Sequence, residues 1–413
     1  MRLAYIVKSF PRLSETFILT EILELERLGC TVTIFSRHAP NEPVPHGSLA
    51  SLRADLMDLE PLLRERLWEP FEAHRRLARR LGPTHERAEA AALALRHRDE
   101  IKHWLLAGVV AEEAFRRGFD LIHAHFATGS ASIAWYASLL TGLPFTFTAH
   151  AKDIYANEVN RDRLRLLLRE ARAAITISDV NREFLEALCP AARVTRVYNG
   201  VDLRLFTPLE DRPRPEPPLL LFVGRMVEKK GLSHLLQACA RLRARGSPLR
   251  CRLVGAGPME VPLREQTRSL GLEEVVEFRG PAGQEEVARV HLPSASVFVL
   301  PCVIASDGDR DGLPTTLLEA MARGVPVVST RLSGIPEAVP DLQAGLLAEP
   351  GDVEGLTEAI ARTLSDQDGA RHRARAARRR AEELFDGRRN VSQLLQLFNA
   401  VTQAACARVE AQP

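Results

Sequence analysis

Two carboxylates eight residues apart, Asp311 and Glu319, straddle a loop-to-helix junction in the stretch DGDRDGLPTTLLEAMARGVPVVST, residues 307–330. The acidic loop runs through Gly312 and Leu313 to Pro314, which a first helical turn tolerates because its missing N–H would be unpaired there. Leu317, Leu318, Ala320, Met321 and Ala322 leave the helix apolar over most of its surface, which predicts burial. Gly324 ends it, and the run VPVVST predicts a buried parallel strand. The start of such a helix offers free N–H groups and a positive dipole end, hence an anion site. Backbone amides for a diphosphate, with carboxylates for hydroxyl groups, suit a nucleotide sugar. An ordinary βα unit with two solvated acids fits the same residues.

A second constellation is VGRMVEKKG, residues 223–231. Gly224 lets the backbone turn sharply off a strand end, and Arg225 and Lys230 bring two cations onto the loop. Two fixed cations there would neutralise a leaving diphosphate; two solvated surface cations are the plain alternative. VGAGP, at 254–258, begins like a dinucleotide fingerprint, but the third glycine position holds Glu260, so G-x-G-x-x-G fails. That disfavours a Rossmann oxidoreductase, while leaving Gly255 able to pass close to a nucleotide. The chain has no G-K-[ST] loop, no G-x-S-x-G elbow and no H-E-x-x-H.

The elements that must position these groups follow from periodicity. The 413 residues point to two domains of about 200 residues. A hydrophobic content of 46% with 26% charged residues is that of a globular protein, and a net charge of +2 gives no sign of nucleic acid. RLAYIV, a helix over 15–28 with Ser14 as N-cap, and TVTIFS make a first βαβ unit. Strands then recur at 120–127, 144–150 and 173–178, with a helix over 129–140 and another over 180–188 capped by Asp179. TPLEDRPRPEPP, residues 207–218, with five prolines among charges, is a linker. Beyond it LLLFVGR, CRLVGAG, VVEFRG and SVFVLP alternate with helices and predict another parallel sheet. An amphipathic helix closes the chain over 391–409.

Residues 40–118 differ in kind: helical in pattern, rich in Arg, His and Ala, and without strand signals. Leu63, Leu67, Phe71, Leu77 and Leu81 fall near helical spacing, flanked by Trp68 and by Arg64, Arg66, Arg75, Arg76, Arg79 and Arg80. Two readings stay open: a subdomain packing its leucines inward, or a basic helix lying on an anionic membrane surface. Six scattered cysteines with no metal spacing read as small buried hydrophobes in a reducing compartment. Neither a secretory leader nor a membrane-length apolar run is present, so the expected location is cytoplasmic, with peripheral contact at the inner face of the cell membrane as the further option.

Three histidines bear on chemistry. His150 ends a buried strand, where a parallel sheet presents side chains to its ligand crevice, and TAHAKD sets Lys152 and Asp153 beside it. His123 and His125 share one face of their strand, which would suit a metal, but the sequence offers no third ligand and none is expected.

The chain resembles the family 4 retaining glycosyltransferases of GT-B fold, particularly bacterial enzymes building exopolysaccharide or lipid-linked oligosaccharides. The resemblance rests on SFPRLSETFI, TAHAKDIY, VYNGVD, FVGRMVEKKGL, LVGAGP, DGDRDGLPTTLLEAMARGVPVVST, SGIPEAV and GLLAEPGD, which follow one another in family order nearly end to end. It implies an α/β protein of two Rossmann-like doubly wound domains facing a cleft: an acceptor-binding domain over 1–206, with the helical insertion at about 40–118, and a nucleotide-sugar-binding domain over 207–387. A last helix over 388–413 crosses back to the first domain.

By the same resemblance Arg225 and Lys230 bind the donor diphosphate, helped by amides near Gly312–Thr316, with Gly224, Gly255, Gly312, Leu313, Pro314 and Thr315 around the donor. Glu319 takes the ribose hydroxyls, Asp311 the hydroxyls of the transferred sugar, and His150 the sugar or the reacting centre. Ser14, Glu15, Thr16, Asp153 and Asn199 are assigned to the acceptor. The first member of the family's acidic pair is normally a glutamate, and Asp311 is one methylene shorter. The expected reaction moves a hexosyl group from a UDP- or GDP-sugar to a saccharide or lipid-linked saccharide, with retention and without metal or other cofactor. A nucleotide-sugar epimerase, a phosphorylase and an inactive nucleotide-sugar-binding protein are the rival readings.

Overall fold

The computed structural model describes residues 1–12, 15–39, 47–209 and 215–410. Seven parallel strands build the first sheet: β1 (Arg2–Ser9), β2 (Thr31–His38), β3 (Asp55–Asp58), β4 (Leu121–His125), β5 (Phe145–Ala149), β6 (Ala173–Thr176) and β7 (Val194–Arg196). Their order is β3-β2-β1-β4-β5-β6-β7. Six more parallel strands build the second: β8 (Leu219–Val223), β9 (Arg250–Val254), β10 (Val276–Arg279), β11 (Val297–Leu300), β12 (Val327–Thr330) and β13 (Leu346–Ala348), ordered β10-β9-β8-β11-β12-β13. Both sheets reverse winding direction at one place, between β1 and β4 and between β8 and β11. A doubly wound sheet opens its ligand crevice beyond the carboxyl ends of the strands at such a reversal. Two Rossmann-like domains are therefore present, as the alternating pattern predicts.

Strands β4, β5, β8 and β11 are buried along their whole length, which explains their unbroken apolar or small-residue character. The helix Thr315–Arg323 is buried at Leu317, Leu318, Ala320 and Met321. Each large apolar side chain so placed contributes about 1.5–3 kcal/mol relative to exposure. Pro314 stands one residue earlier than expected: it is the N-cap, in extended backbone, and its carbonyl accepts from Leu317 N–H at 3.1 Å.

Other boundaries move for identifiable reasons. The first helix is Thr16–Arg27; Glu15 occupies its N-cap position without a side-chain cap, and Ser14 lies outside the described residues. Ser178, rather than Asp179, caps the helix Asp179–Leu188, accepting from Asn181 N–H at 3.1 Å. The stretch 40–118 does contain a strand: β3 pairs with β2 at the sheet edge. Its four residues DLMD are mostly exposed and carry no alternation.

In the helix Trp68–Leu81, Ala73, His74 and Leu77 pack inward. Leu67, Trp68 and Phe71 instead stay 44%, 60% and 57% exposed. Arg76 reaches Glu112 at 2.5 Å and Arg80 lies 3.9 Å over the Phe115 ring, while Arg75 and Arg79 point to solvent.

The chain crosses between the domains twice, side by side. Val201 N–H donates to Phe385 O at 2.8 Å, and Gly387 N–H donates to Val201 O at 3.1 Å. A side chain on Gly200 would stand 2.1 Å from Gly387 Cα, so only glycine permits the approach. The helix Gly387–Glu410 then packs on Thr16–Arg27, burying Val391, Leu394, Phe398 and Val401 among Leu3, Tyr5, Ile18 and Ile22.

Candidate active site

At the β8/β11 reversal the turn after β8 brings down Arg225, Lys229 and Lys230, and the loop after β11 brings Asp309 and Asp311. Lys230 Nζ lies 2.6 Å from Asp311 Oδ2, with each side chain 12% exposed. Lys229 Nζ lies 3.1 Å from Asp309 and 3.4 Å from Asp311 Oδ1, and the Cys302 thiol donates to Asp311 Oδ2 at 3.2 Å. Burial would push the Asp311 carboxyl up, but the two ammonium groups outweigh it and hold it far below the usual carboxylate range. Burial likewise works against the Lys229 ammonium, and Asp311 and Asp309 outweigh it, raising its pKa. Arg225 stays exposed on the same turn.

Glycine is required where these loops touch. A Cβ on Gly255, at φ +135°, would fall 2.0 Å from Gly224 O, and one on Gly257 would fall 2.3 Å from Met226 O. Gly224 N–H donates to Val254 O, and Met226 N–H to Ala256 O. VGR and VGAG are thus zipped backbone to backbone, which fixes where Arg225 and Lys230 begin.

Glu319 lies two turns along its helix, 4% exposed, with Gln284 Nε2 donating to its Oε1 at 2.8 Å. Burial raises its carboxyl to about 7, against the smaller opposing effect of that hydrogen bond. An open groove of ≈ 500 Å³ beside Glu228, His234, Met259 and Ile304 contains none of these cations or acids.

Across the cleft His150 follows β5. Its carbonyl accepts from Asn181 Nδ2 at 2.6 Å, and a Cβ on Gly312 would come within 2.5 Å of that oxygen. His150 and the Asp311–Gly312 loop therefore meet between the domains, although the sequence separates them by some 160 positions. The loop is further held by Asn157 N–H donating to Asp307 O at 2.8 Å, and by the Arg310 guanidinium over the Tyr155 ring. Glu337, inside SGIPEAV, accepts from Asp179 N–H, Val180 N–H and Tyr198 OH at 2.9–3.0 Å, tying the domains at another point.

Of the residues expected at the acceptor, Ser14 lies outside the described residues, and the other four have separate surroundings. Asp153 is buried, and its oxygens accept from the backbone N–H groups of Ala127, His150 and Ala151. It shapes the loop around His150 and is not free toward the cleft. Glu15 pairs with Arg12 at 2.6 Å, and burial raises its carboxyl pKa despite the nearby arginine. Thr16 begins the first helix, and its carbonyl accepts from Thr20 Oγ1. Asn199 borders a cavity of ≈ 20 Å³, room for a single water, shared with Glu21, Thr148 and Asn390.

Glu21 is the residue that spacing did not single out. It is one turn after Phe17 on the buried face of the first helix, 3.1 Å from His125 Nε2 and 2.8 Å from the Tyr5 hydroxyl. An acid falling on an apolar helical stripe is the signal that could have found it. It also corrects the expectation that His123 and His125 lack a third ligand: ligand atoms of Glu21, His123 and His125 all lie within 4.8 Å of one another. The ring nitrogens, however, are already engaged. His123 Nδ1 meets Thr146 at 2.8 Å and its Nε2 meets Thr148 at 3.2 Å, while His125 Nδ1 faces His150.

Two Rossmann-like domains whose reversal points face one cleft, with paired cations and acids on the second, define the GT-B class of glycosyltransferase. Residues 14–205 match the family described as Glycosyltransferase Family 4, and residues 210–380 match Glycosyl transferases group 1. WcaL of Escherichia coli, named as a candidate colanic acid biosynthesis glycosyltransferase, is 31% identical over 96% of this chain and 100% of its own length. AmsK of Erwinia amylovora, an amylovoran biosynthesis glycosyltransferase, is 28% identical over 94% of this chain and 96% of its own. Sucrose-phosphate synthase from Thermosynechococcus elongatus shares the fold with a TM-score of 0.75 at 22% identity, covering 98% of this chain and 100% of that one. Anabaena HepE, solved in complex with UDP, does so with a TM-score of 0.70 at 18% identity over 97% and 100%. The chain belongs to the family 4 glycosyltransferases of GT-B fold.

Proposed function

We propose that the chain transfers a hexosyl group from a UDP- or GDP-sugar to a saccharide or lipid-linked saccharide during surface polysaccharide biosynthesis, with retention at the anomeric carbon. The observation that carries this reading is the Lys230–Asp311 pair at the second reversal point, beside the start of the helix Thr315–Arg323 and above buried Glu319. Arg225, Lys230 and the first amides of that helix would meet the charge that grows on the departing diphosphate. Side chains and amides then do this work with no metal assigned to it. The acceptor hydroxyl would attack from the leaving-group side, with a departing phosphate oxygen taking its proton.

The colanic acid and amylovoran assignments of the two relatives favour an exopolysaccharide role. Lys8 and Arg37 stand opposite one another at the carboxyl ends of β1 and β2, between the register pairs Val7–Ser36 and Ser9–His38. Burial, and after it Arg12 and Arg37, lowers the Lys8 pKa. A cationic edge on the first domain favours an anionic acceptor such as a lipid-linked phosphate. The exposed Leu67, Trp68 and Phe71 beside Arg64, Arg75 and Arg79 favour contact with an anionic bilayer.

Thermal-shift titration with UDP, GDP and their sugars, followed by NMR of the product anomer, tests the assignment. Stabilisation by one nucleotide and its sugar, with transfer at retained configuration, is expected. Sugar phosphate formed with inorganic phosphate would make the chain a phosphorylase, an epimerised donor would make it an epimerase, and tight binding without any turnover would make it a binding protein.

A further inference from the structure

Behind His150 lies a continuous run of hydrogen-bonding groups that the transfer chemistry above does not use. The Tyr5 hydroxyl and His125 Nε2 both converge on Glu21 Oε1, at 2.8 and 3.1 Å, and His125 Nδ1 faces His150 Nε2 at 3.2 Å. Tyr5 and His125 are 0% exposed and His150 is 6% exposed. The two imidazoles lie nearly parallel, 5.5 Å between centroids, and His150 is held on other sides by Phe17 at 4.7 Å and Phe126 at 4.5 Å. The ring cannot turn over without displacing aromatic neighbours.

From this arrangement we infer that Glu21, acting through His125, fixes His150 as the neutral tautomer protonated on Nε2. Its bare Nδ1 is then left to accept a hydrogen bond from a substrate hydroxyl. Glu21 and His125 are positioning residues for His150, and this rests on the proposed placement of His150 at the reacting sugars.

The proton inventory runs in one direction. An ionised carboxylate can only accept, so the Tyr5 O–H and the His125 Nε2–H must both donate to Glu21. Burial, and after it Glu21, raises the Tyr5 pKa, so its hydroxyl keeps its proton. A neutral His125 protonated at Nε2 has a lone pair at Nδ1, and the 3.2 Å contact then requires the proton on His150 Nε2. Burial and the neighbouring His125 push the His150 pKa well down, so no second proton occupies Nδ1. The groups facing this run from the surrounding elements include Glu15, which interacts with His125 and is paired with Arg12 at 2.6 Å, His123, the Tyr5 and Thr148 hydroxyls, Phe17 and Phe126; His123, itself buried, is also kept neutral. A hydroxyl group of a sugar, a hydrogen-bond donor, is therefore the partner that His150 selects. A carbonyl or phosphate oxygen, which only accepts, is refused.

The histidine tautomers can be read directly by long-range ¹H–¹⁵N NMR on ¹⁵N-histidine-labelled protein, with His150→Gln and His125→Asn used to assign the signals. In the wild type, Nε2–H is expected for both rings, with pyridine-like Nδ1. Glu21→Gln keeps an acceptor oxygen and should retain this pattern. Glu21→Leu, checked for folding by its melting transition, should mix the tautomers of both rings. It should also lower kcat roughly tenfold while free-nucleotide affinity stays unchanged. A wild-type His150 protonated on Nδ1, which would mean a charged His125 donating to it, overturns the inference; so does a Glu21→Leu protein with an unaltered tautomer pattern. The NMR result is independent of turnover, so a chain that transfers no sugar would sink the functional reading while leaving this one to be judged by its own spectra.

Discussion

Asp311→Asn should make the protein bind free nucleotide more tightly while turning over more slowly. Lys230, the cation assigned to the donor diphosphate, is already held by Asp311 at 2.6 Å, and both are mostly buried. A phosphate oxygen sharing Lys230 would stand roughly 5 Å from that carboxylate, and at an effective dielectric near 20 the repulsion is about 3 kcal/mol. Asparagine removes the repulsion, but Lys230 and Lys229 lose the carboxylate that holds them in place, and ordering them again on the nucleotide takes back part of the gain. A net gain of about 1–2 kcal/mol, some 5- to 30-fold in affinity, is the expected remainder. The unliganded variant should melt lower, because Lys230 loses its nearest anion; Lys229 keeps Asp309. Turnover should fall at least tenfold, since the carboxylate assigned to the sugar hydroxyls is gone. Isothermal titration with UDP and GDP, beside steady-state kinetics, measures both effects. A nucleotide affinity that falls in Asp311→Asn would refute the reasoning and make Asp311 a direct nucleotide contact.

Glu319, with its carboxyl raised to about 7, is ionised only against the cost of burial, so its raised pKa favours folding below about pH 4.5 and that benefit is lost as pH rises through 7. Glu319→Gln should therefore stabilise the free protein by about 1–3 kcal/mol at pH 8 and hardly at all at pH 5 in urea titrations, while weakening nucleotide binding at both. Arg225→Ala and Lys230→Ala should each cost about 2–4 kcal/mol in kcat/KM, read from steady-state kinetics, and wild-type turnover in both would move the donor site elsewhere. Membrane contact is best tested with Trp68→Ser and Phe71→Ser together with Arg75→Glu and Arg79→Glu, sparing Arg76 and Arg80, which hold Glu112 and Phe115. Co-sedimentation with anionic vesicles should be lost with little change in Tm, and a wild type that never sediments would end the idea.

The second domain was readable because its elements announce themselves locally. A strand, a glycine turn, cations, an apolar helix and a closing strand each have a short-range signature. What could not be read was pairing over distance. VEKKG shows two lysines, but not that Asp309 and Asp311 would claim both. TAHAKD shows an acid beside His150, but not that three backbone amides would consume it. Glu21 meets His125 across 104 positions, and only the packing of the first helix on the sheet brings them together. Strand β3 escaped for a different reason: as an exposed edge of four residues, it owes its conformation to β2 and not to its own pattern.

Phe398 packs 5.1 Å from His123, and with Val391, Leu394 and Val401 it completes the layer over Tyr5 and Ile22. Side chains almost four hundred positions apart thus share one interior. During synthesis Leu3, Tyr5 and Ile18 emerge long before Phe398 is made. For most of translation the outer layer of the amino-terminal domain remains uncovered, however well its sheet has formed. The first domain can therefore close its interior only when the final helix docks, after the second domain's strands have been made. A chain lacking 391–401 would carry an unsealed first domain, with Leu3, Tyr5, Ile18 and Ile22 open to chaperones and proteases.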